Sequence, residues 1–341
     1  PSKLVSRRGV LGQTPNFSMQ RYMDNNFMLH NLVDSILNVK KQHTLGEVIE
    51  FDGIALHGGG NVNLRILPAD IDHGVVFQRI DVSRNTSLIP ATWDMVNDTV
   101  LSTTIKNSNG ISVSTIEHLM AALSGSGIDN VLIQIDGPEV PIMDGSSEPF
   151  VYGFQSSGVV EQKAARNILK ILRPVEVFGE SGEHIALYPA NDFSIDFEID
   201  FNSSAVREKT LDVTLVNGAF NHEISAARTF GFLEDVDKMR AAGLGLGGSL
   251  DNVVIVDGEN ILNSGGLRYE DEFVRHKILD CVGDVYLAGG PILGRIEAYK
   301  TGHYFNNKLL RQLFANPDAW EWITEVNKTA HQTSELMAVS A

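Results

Sequence analysis

The sequence predicts an α+β protein built of two similar halves. Each half is expected to be a β-sheet carrying two helices on one face, with the helices of both halves sandwiched between the two sheets. Three observations predict it. At 341 residues the chain exceeds one ordinary hydrophobic core. Each half then runs in the same order: short strand signals, a long helix with a histidine off its apolar stripe, one buried strand, a loop and a shorter helix. The spacing also repeats, since His118 lies 32 residues before Phe150 and His276 lies 30 residues before Asn306. A duplicated architecture with little surviving identity explains all three. The expected divisions are an N-terminal extension at 1–40, a first domain at 41–165, a second at 166–320 and a C-terminal tail at 321–341.

In the first half, strand signals at Thr44 to Phe51, Val62 to Leu67, Gly74 to Arg79 and Thr99 to Ile105 are separated by Gly, Pro and Asp. Leu56-His57-Gly58-Gly59-Gly60 permits a tight turn, or a close approach to a ligand. Asn107 to Gly110 reads as a hairpin turn. A helix is expected from near Ser114, an N-cap with Glu117 three residues on. Its apolar stripe is Ile116, Leu119, Met120 and Leu123. His118 points away from that stripe, among the small residues Ala121 and Ala122, which suit close approach by another helix. A buried strand, Asn130 to Ile135, a Pro/Gly-rich loop, Gly137 to Ser146, and a helix, Glu148 to Ser157, complete the half.

The second half repeats the pattern. Strand signals fall at Asn167 to Val177, His184 to Tyr188 and Phe193 to Phe201, followed by His222 to Phe232, a Gly-rich insert from Ala241 to Gly248 and a strand at Asn252 to Asp257. A helix from Asp271 to Ala288, a strand from Ile292 to Tyr299, a loop holding Gly302-His303 and a helix from Asn306 to Phe314 close it. Outside the halves, Asn26 to Val39 has the spacing of a short amphipathic helix without a function to assign to it.

Composition excludes several classes. Hydrophobic content of 43% and charged content of 21% describe a soluble globular protein. No apolar run reaches the ~18 residues of a membrane span, and no signal-peptide core follows the first residues. A net charge of −16 argues against a nucleic-acid partner, which needs a basic footprint. The single cysteine, Cys281, rules out an intrachain disulfide and any multi-cysteine metal site, and it falls on a buried helix side. A cytoplasmic location fits.

The helix from Asp271 to Ala288 carries the chemistry. Val274, Ile278, Leu279, Val282 and Val285 share one face, while His276, Asp280 and Asp284 recur at i, i+4 and i+8 on the other, with Lys277 beside them. Such a row is either a solvated polar face or part of a metal site, because imidazole and carboxylate one turn apart can grip one ion. Two ligands do not close a site. If each long helix buries its apolar stripe on its own sheet, His118 meets His276 and Asp280 between the halves and supplies the third. Three protein ligands and a water make an open zinc site, which favours catalysis over a structural role. Glu117, rotated about 100° from His118 on the helix, suits a general base. Lys277 suits an oxyanion partner, His303 a proton donor and Asp284 the carboxylate that holds up its pKa. Taken singly, each residue has a structural reading: Glu117 as a cap, Asp284 as a surface carboxylate, His303 as a loop donor.

Four stretches carry a resemblance: Ser114-Thr115-Ile116-Glu117-His118-Leu119, Pro141-Ile142-Met143-Asp144-Gly145-Ser146, Ala227-Arg228-Thr229-Phe230-Gly231-Phe232, and Phe273-Val274-Arg275-His276-Lys277 through Asp280. Together they resemble the UDP-3-O-acyl-N-acetylglucosamine deacetylases, zinc amidases of lipid A biosynthesis, in collinear order from about Lys41 to Trp322. The resemblance implies His118, His276 and Asp280 as ligands of zinc, with ferrous iron the alternative metal. It implies Glu117 as base, Thr229 and Lys277 near the tetrahedral intermediate, and His303 with Asp284 as the acid. It implies a substrate-binding set of Phe201, Lys300, Phe230, Gly248 and Leu101, with Phe201 stacking on the nucleotide and Lys300 supplying charge. A passage for the acyl chain follows, lined by Val236, Met239, Ala242, Leu244 and Leu246, with Gly245, Gly247 and Gly248 leaving room. Ser203-Ser204 stand where relatives are expected to carry His-Pro.

The implied reaction hydrolyses the acetamide of a UDP-linked, acylated amino sugar to a free amine and acetate, by a monomer. Two alternatives stand beside it. One is a related dehydratase or deacylase on the same halves. The other is an acyl- or sugar-nucleotide-binding protein with a structural metal.

Overall fold

The computed structural model describes residues 40–324 apart from Glu208 and Asn217, so the sequence expectation for Asn26 to Val39 lies outside the described residues. Two sheets dominate. In the first half the strand order is Ile49–Ile54, Asn61–Pro68, Val131–Ile135, Val75–Arg79, Leu88–Pro90. The central strand Val131–Ile135 pairs antiparallel with Asn61–Pro68, matching Ile66 to Ile133, and parallel with Val75–Arg79, matching Phe77 to Ile133. Alternation explains the register, because Val62, Leu64 and Ile66 are buried while Asn61, Asn63 and Arg65 are exposed.

The second half reuses this plan. Ile292–Tyr299 pairs antiparallel with His184–Pro189 and parallel with Phe193–Glu198, and Val175–Phe178 and Thr210–Thr214 flank those two strands. The strand order around the central strand is therefore the same in both sheets, which is the duplication in structural form. Ile168–Ile171 and Trp320–Ile323 extend the second sheet, so residues expected as tail contribute an antiparallel strand.

Five helices occur among the described residues: α1 (Glu117–Ser126), α2 (Glu148–Ser157), α3 (Leu233–Ala241), α4 (Glu272–Tyr286) and α5 (His303–Phe314). Helices α1, α2, α4 and α5 lie between the sheets. Helix α2 packs on Ile49–Ile54, α4 on Phe193–Glu198 and α5 on Val175–Phe178. Leu119 and Leu123 of α1, with Ile278 and Leu279 of α4, are fully buried. Truncating any one to alanine costs about 2–5 kcal/mol. Helices α1 and α4 cross at close range. A Cβ on Gly283 would sit 2.0 Å from the Glu117 carbonyl oxygen and 3.0 Å from the Ala121 amide nitrogen, so glycine is what lets the two backbones meet. Here the small residues beside His118 meet the other helix as expected.

Several expectations need correction. Thr44 to Phe51 is two strands, Lys41–Leu45 and Ile49–Ile54, which pair with different partners. Strand Lys41–Leu45 joins Val159–Ala165, whose exposed, charged sequence hid it. Of the stretch Thr99 to Ile105 only Thr104 and Ile105 are strand, within Thr104–Lys106, and Leu101 sits at φ +61°. Helix α1 starts at Glu117, not Ser114: Ser114 forms a bridge with Glu139, and Thr115 adopts φ +54°, which no helix accommodates. The stretch His222 to Phe232 begins within a π-helix, Phe220–Ile224, and ends in a strand, Phe230–Phe232. His303 is the first residue of α5 and not a loop residue, with Gly302 before it in extended backbone. No helix among the described residues is long and apolar enough to cross a membrane.

Candidate metal centre and active site

Adjacent residues at the start of α1 and a periodic row on α4 converge where the helices cross. His118 and His276 present their rings edge to face with centroids 4.9 Å apart. Asp280 Oδ1 lies 3.6 Å from His118 Nε2 and 3.4 Å from His276 Nε2. One ligand atom from each of the three residues falls within 4.8 Å of the others, and all three side chains are buried. Helix periodicity sets the His276–Asp280 pair, and the Gly283 contact brings His118 to it.

The electrostatics favour a cation. His276 Nδ1 lies 3.0 Å from the Ala227 carbonyl, which fixes the proton on that nitrogen and leaves the Nε2 lone pair facing inward. Burial, with His118 and Lys277 close by, pushes this imidazole down to about 4 despite Asp280, so it is neutral near pH 7. Against burial, which raises it, Lys277, His276 and His303 hold the Asp280 carboxyl well below its ordinary range. Lys277 Nζ donates to Asp280 Oδ2 at 2.7 Å, whereas Oδ1 is buried with no hydrogen-bond partner. An orphaned carboxylate oxygen facing two imidazole nitrogens is an unfavourable arrangement by itself. A divalent cation resolves it, and the N/N/O donor set suits zinc or ferrous iron.

Two acid–base groups flank these three. Glu117 Oε2 accepts the Thr103 backbone N–H at 3.0 Å, and Oε1 lies 3.9 Å from His303 Nε2. Burial raises the Glu117 carboxyl, against the pull of His303 and His118. His303 Nδ1 pairs with Asp284 Oδ2 at 2.8 Å. Against burial, which lowers it, Asp284, Glu117 and Asp280 push His303 up to about 9. Asp284 also accepts Thr103 Oγ1 at 2.6 Å and Asn306 Nδ2 at 2.8 Å.

Every residue expected in the metal, catalytic and substrate-binding sets except Asp284 lines one cavity of about 790 Å³, and Asp284 sits behind His303. The end that holds His118, His276 and Asp280 is polar. Leading away from it are Thr229 and Phe230, whose ring meets Phe201 at 5.3 Å edge to face. Phe201 and Lys300, both half-buried, also line it, with Lys300 Nζ 3.2 Å from Asp200 Oδ2. Three non-glycine residues of the lining, Leu101, Thr115 and Lys300, hold positive φ of 61°, 54° and 57°. Such strain clusters where a site needs side chains in fixed places. The other end of the cavity lies under the second-half insert, made of α3 and the strands Phe230–Phe232, Val254–Asp257 and Asn260–Ile261.

The insert partly departs from expectation. Val236, Met239, Gly245 and Gly248 line the cavity, but Ala242, Leu244 and Leu246 do not; Leu250, Val253, Ile255 and Leu262 take their place. Those four come after the glycine run, on the loop and strands that return beneath α3, where no helical period marks them. Gly247 makes no room for a ligand either. It docks the insert on the first half, since its Cβ would lie 2.2 Å from the Ala55 carbonyl oxygen, and its amide donates to the Leu56 carbonyl at 3.0 Å. Ser203, at the departure from the expected His-Pro, donates its hydroxyl to the Gly258 carbonyl at 3.1 Å. Sequence reasoning also passed over His57, whose buried ring lines the cavity with Nδ1 accepting the Gly245 amide at 3.3 Å. Thr103 and Asn306 went unnoticed because a threonine and an asparagine carry no local signature. Cys281 is buried, and burial pushes its thiol up, which fits packing rather than reactivity.

Comparison with known proteins decides the family. Residues 42–315 match the family model of LpxC, UDP-3-O-acyl N-acetylglycosamine deacetylase. The chain belongs to this family. Relatives in this deacetylase family include the UDP-3-O-acyl-N-acetylglucosamine deacetylase of Idiomarina loihiensis, 49% identical over 287 residues, covering 83% of this chain and 93% of the relative. That of Shewanella frigidimarina is 49% identical over 286 residues, covering 83% and 92%. That of Xylella fastidiosa is 44% identical over 297 residues, covering 86% and 96%. The two-half α+β fold and the buried His118, His276 and Asp280 cluster are thus those of a member of a deacetylase family.

Proposed function

We propose that this protein hydrolyses the N-acetyl group of UDP-3-O-(3-hydroxyacyl)-N-acetylglucosamine, giving the free 2-amino sugar and acetate, the committed step of lipid A biosynthesis. The observation that carries the reading is the convergence of His118, His276 and Asp280 beside Glu117 and His303 in the lining of one cavity. His118, His276 and Asp280 hold the metal, zinc in the first instance. A metal bound there acidifies water and polarises a carbonyl oxygen.

The chain's own groups perform the rest. Glu117 Oε1 takes the proton of the attacking water, and its raised pKa makes it a fitting acceptor near neutral pH. The ammonium of Lys277, held positive by Asp280, and the Thr229 hydroxyl face the oxyanion as it develops. His303 Nε2 gives its proton to the departing amine. The Asp284 carboxylate on Nδ1 keeps that imidazolium charged and aimed until the C–N bond breaks. Phe201 and Lys300 receive the nucleotide, while the apolar end under the insert receives the acyl chain. Burying that chain favours lipidated substrate by about 0.8 kcal/mol per methylene. The protein works as a monomer in the cytoplasm.

The test is acetate release from the UDP-acyl-sugar by purified protein, before and after chelation and on adding back zinc or ferrous iron. A Glu117→Ala variant should keep its metal and lose about 10²–10⁴-fold in kcat. Full activity in that variant, or after complete removal of metal, refutes the mechanism. The reading of a binding protein with a structural metal predicts tight ligand binding and no acetate.

A further inference from the structure

We propose that Thr103 is a positioning residue that locks the two proton-transfer groups of this site to each other across the two halves. The inference rests on the roles given above to Glu117 and His303. All three polar groups of Thr103 are used. Its backbone N–H donates to Glu117 Oε2 at 3.0 Å, its hydroxyl to Asp284 Oδ1 at 2.6 Å, and its carbonyl accepts the Ile116 amide at 3.4 Å. The side chain is 1% exposed and does not line the cavity, so Thr103 touches no substrate and acts only through its partners.

The geometry defines the function. Asp284 Oδ2 already serves His303 Nδ1 and Asn306 Nδ2, both from α5. Those two bonds fix one oxygen of the carboxylate and leave the other to be held from elsewhere. The Thr103 hydroxyl on Oδ1 supplies that second point, and with both oxygens held the carboxylate plane that His303 meets is set. The same residue holds the Glu117 carboxylate through its amide, so Glu117 and His303 share one reference point in the first-half segment between Leu101 and Thr104. The Ile116 bond ties that segment to the strained turn at Thr115, just before α1. Misplacing a proton-transfer group by about 1 Å costs on the order of 10²-fold in rate, so this alignment is where the effect is expected.

Thr103→Val tests the idea, because it keeps the amide bond to Glu117 and the shape while deleting only the hydroxyl. Thr103→Ser keeps the hydroxyl. Thr103→Ala, which leaves space instead of a methyl group, guards against a loss caused by crowding. Each is measured for kcat and KM on the UDP-acyl-sugar, for bound metal per chain and for thermal midpoint, beside Glu117→Gln and His303→Ala. The expected result is a fall of about 10- to 100-fold in kcat for Val and Ala, with KM and metal content essentially unchanged and most of the loss recovered in Ser. Wild-type kcat in Val and Ala overturns the proposal. So does a Ser variant as slow as Val, or a loss that follows KM, metal or melting temperature. If Glu117→Gln and His303→Ala themselves keep wild-type kcat, the functional reading falls with it; if they are slow and Thr103→Val is not, only the coupling falls.

Discussion

Helices α1 and α4 occupy matching places in the two halves, yet they present their functional groups by different means. On α4 the row His276, Asp280 and Asp284 follows from helical periodicity, and nothing beyond a regular helix is needed to align it. On α1 the groups are neighbours in sequence, Glu117 and His118, in the first turn. Neighbours diverge by about 100° on a helix, so both reach one site only because that turn is tightly placed. The structure supplies the placement from outside α1: Thr115 at φ +54°, the Thr103 amide on Glu117, and the Ser147 hydroxyl on the His118 carbonyl at 2.7 Å. One half orients its residues by repetition, the other by bracing.

That contrast can be broken at its centre first. Replacing a ligand on either helix, by His118→Ala or His276→Ala, should abolish tight metal binding and lower kcat/KM by 10³-fold or more, on the order expected when a catalytic metal is lost; metal analysis and acetate release measure it. Equal losses show that bracing and repetition deliver equivalent ligands. Next is the helix crossing. Gly283→Ala inserts a methyl group where a carbonyl oxygen sits 2.0 Å away. It should destabilise the fold by about 1–3 kcal/mol and weaken metal affinity, read from denaturant melts with and without metal.

Smaller effects follow at His303, the proposed acid. His303 is raised from its ordinary 6.5 to about 9, so its proton is present at neutral pH and is lost as pH rises through about 9. Activity should therefore decline on the alkaline side. The stability that His303 contributes is complete below 6.5 and disappears over the same rise. Asp284→Asn removes the largest charge holding the imidazolium and should move the alkaline limb to lower pH, visible in a kcat profile. The smallest effect belongs to the apolar end. Val253→Ala should raise KM for a long-chain substrate by up to about tenfold and leave a short-chain analogue unaffected.

Regular features were legible in the sequence, and contacts made by irregular backbone were not. The helix Glu148–Ser157 and the strand Ile292–Tyr299 have the bounds their patterns predict. The His276 row was readable because its period matches the helix, and His118 because the duplicated spacing pointed to a partner. The start of α1 was misread because Ser114-Thr115-Ile116-Glu117 has the composition of a capping box, while the left-handed turn at Thr115 depends on tertiary bonds no local rule contains. Strand Thr210–Thr214 was missed because it lies at an edge and has only Val213 buried. His303 was placed one element too early: Gly302 looks like a loop residue, and only the fold shows the helix beginning directly after it.

The division of the proposed ligands between α1 and α4 also sets an order of events for a growing chain. His118 and His276 are 158 residues apart, so the first half can complete its sheet and both its helices long before the other ligands exist. Until α4 has been made and has closed on Gly283, His118 and Glu117 are an ordinary pair at a helix start. On the proposed reading, metal capture would report that both halves have folded and joined, and a truncated or misassembled chain would lack the grip to compete for the ion.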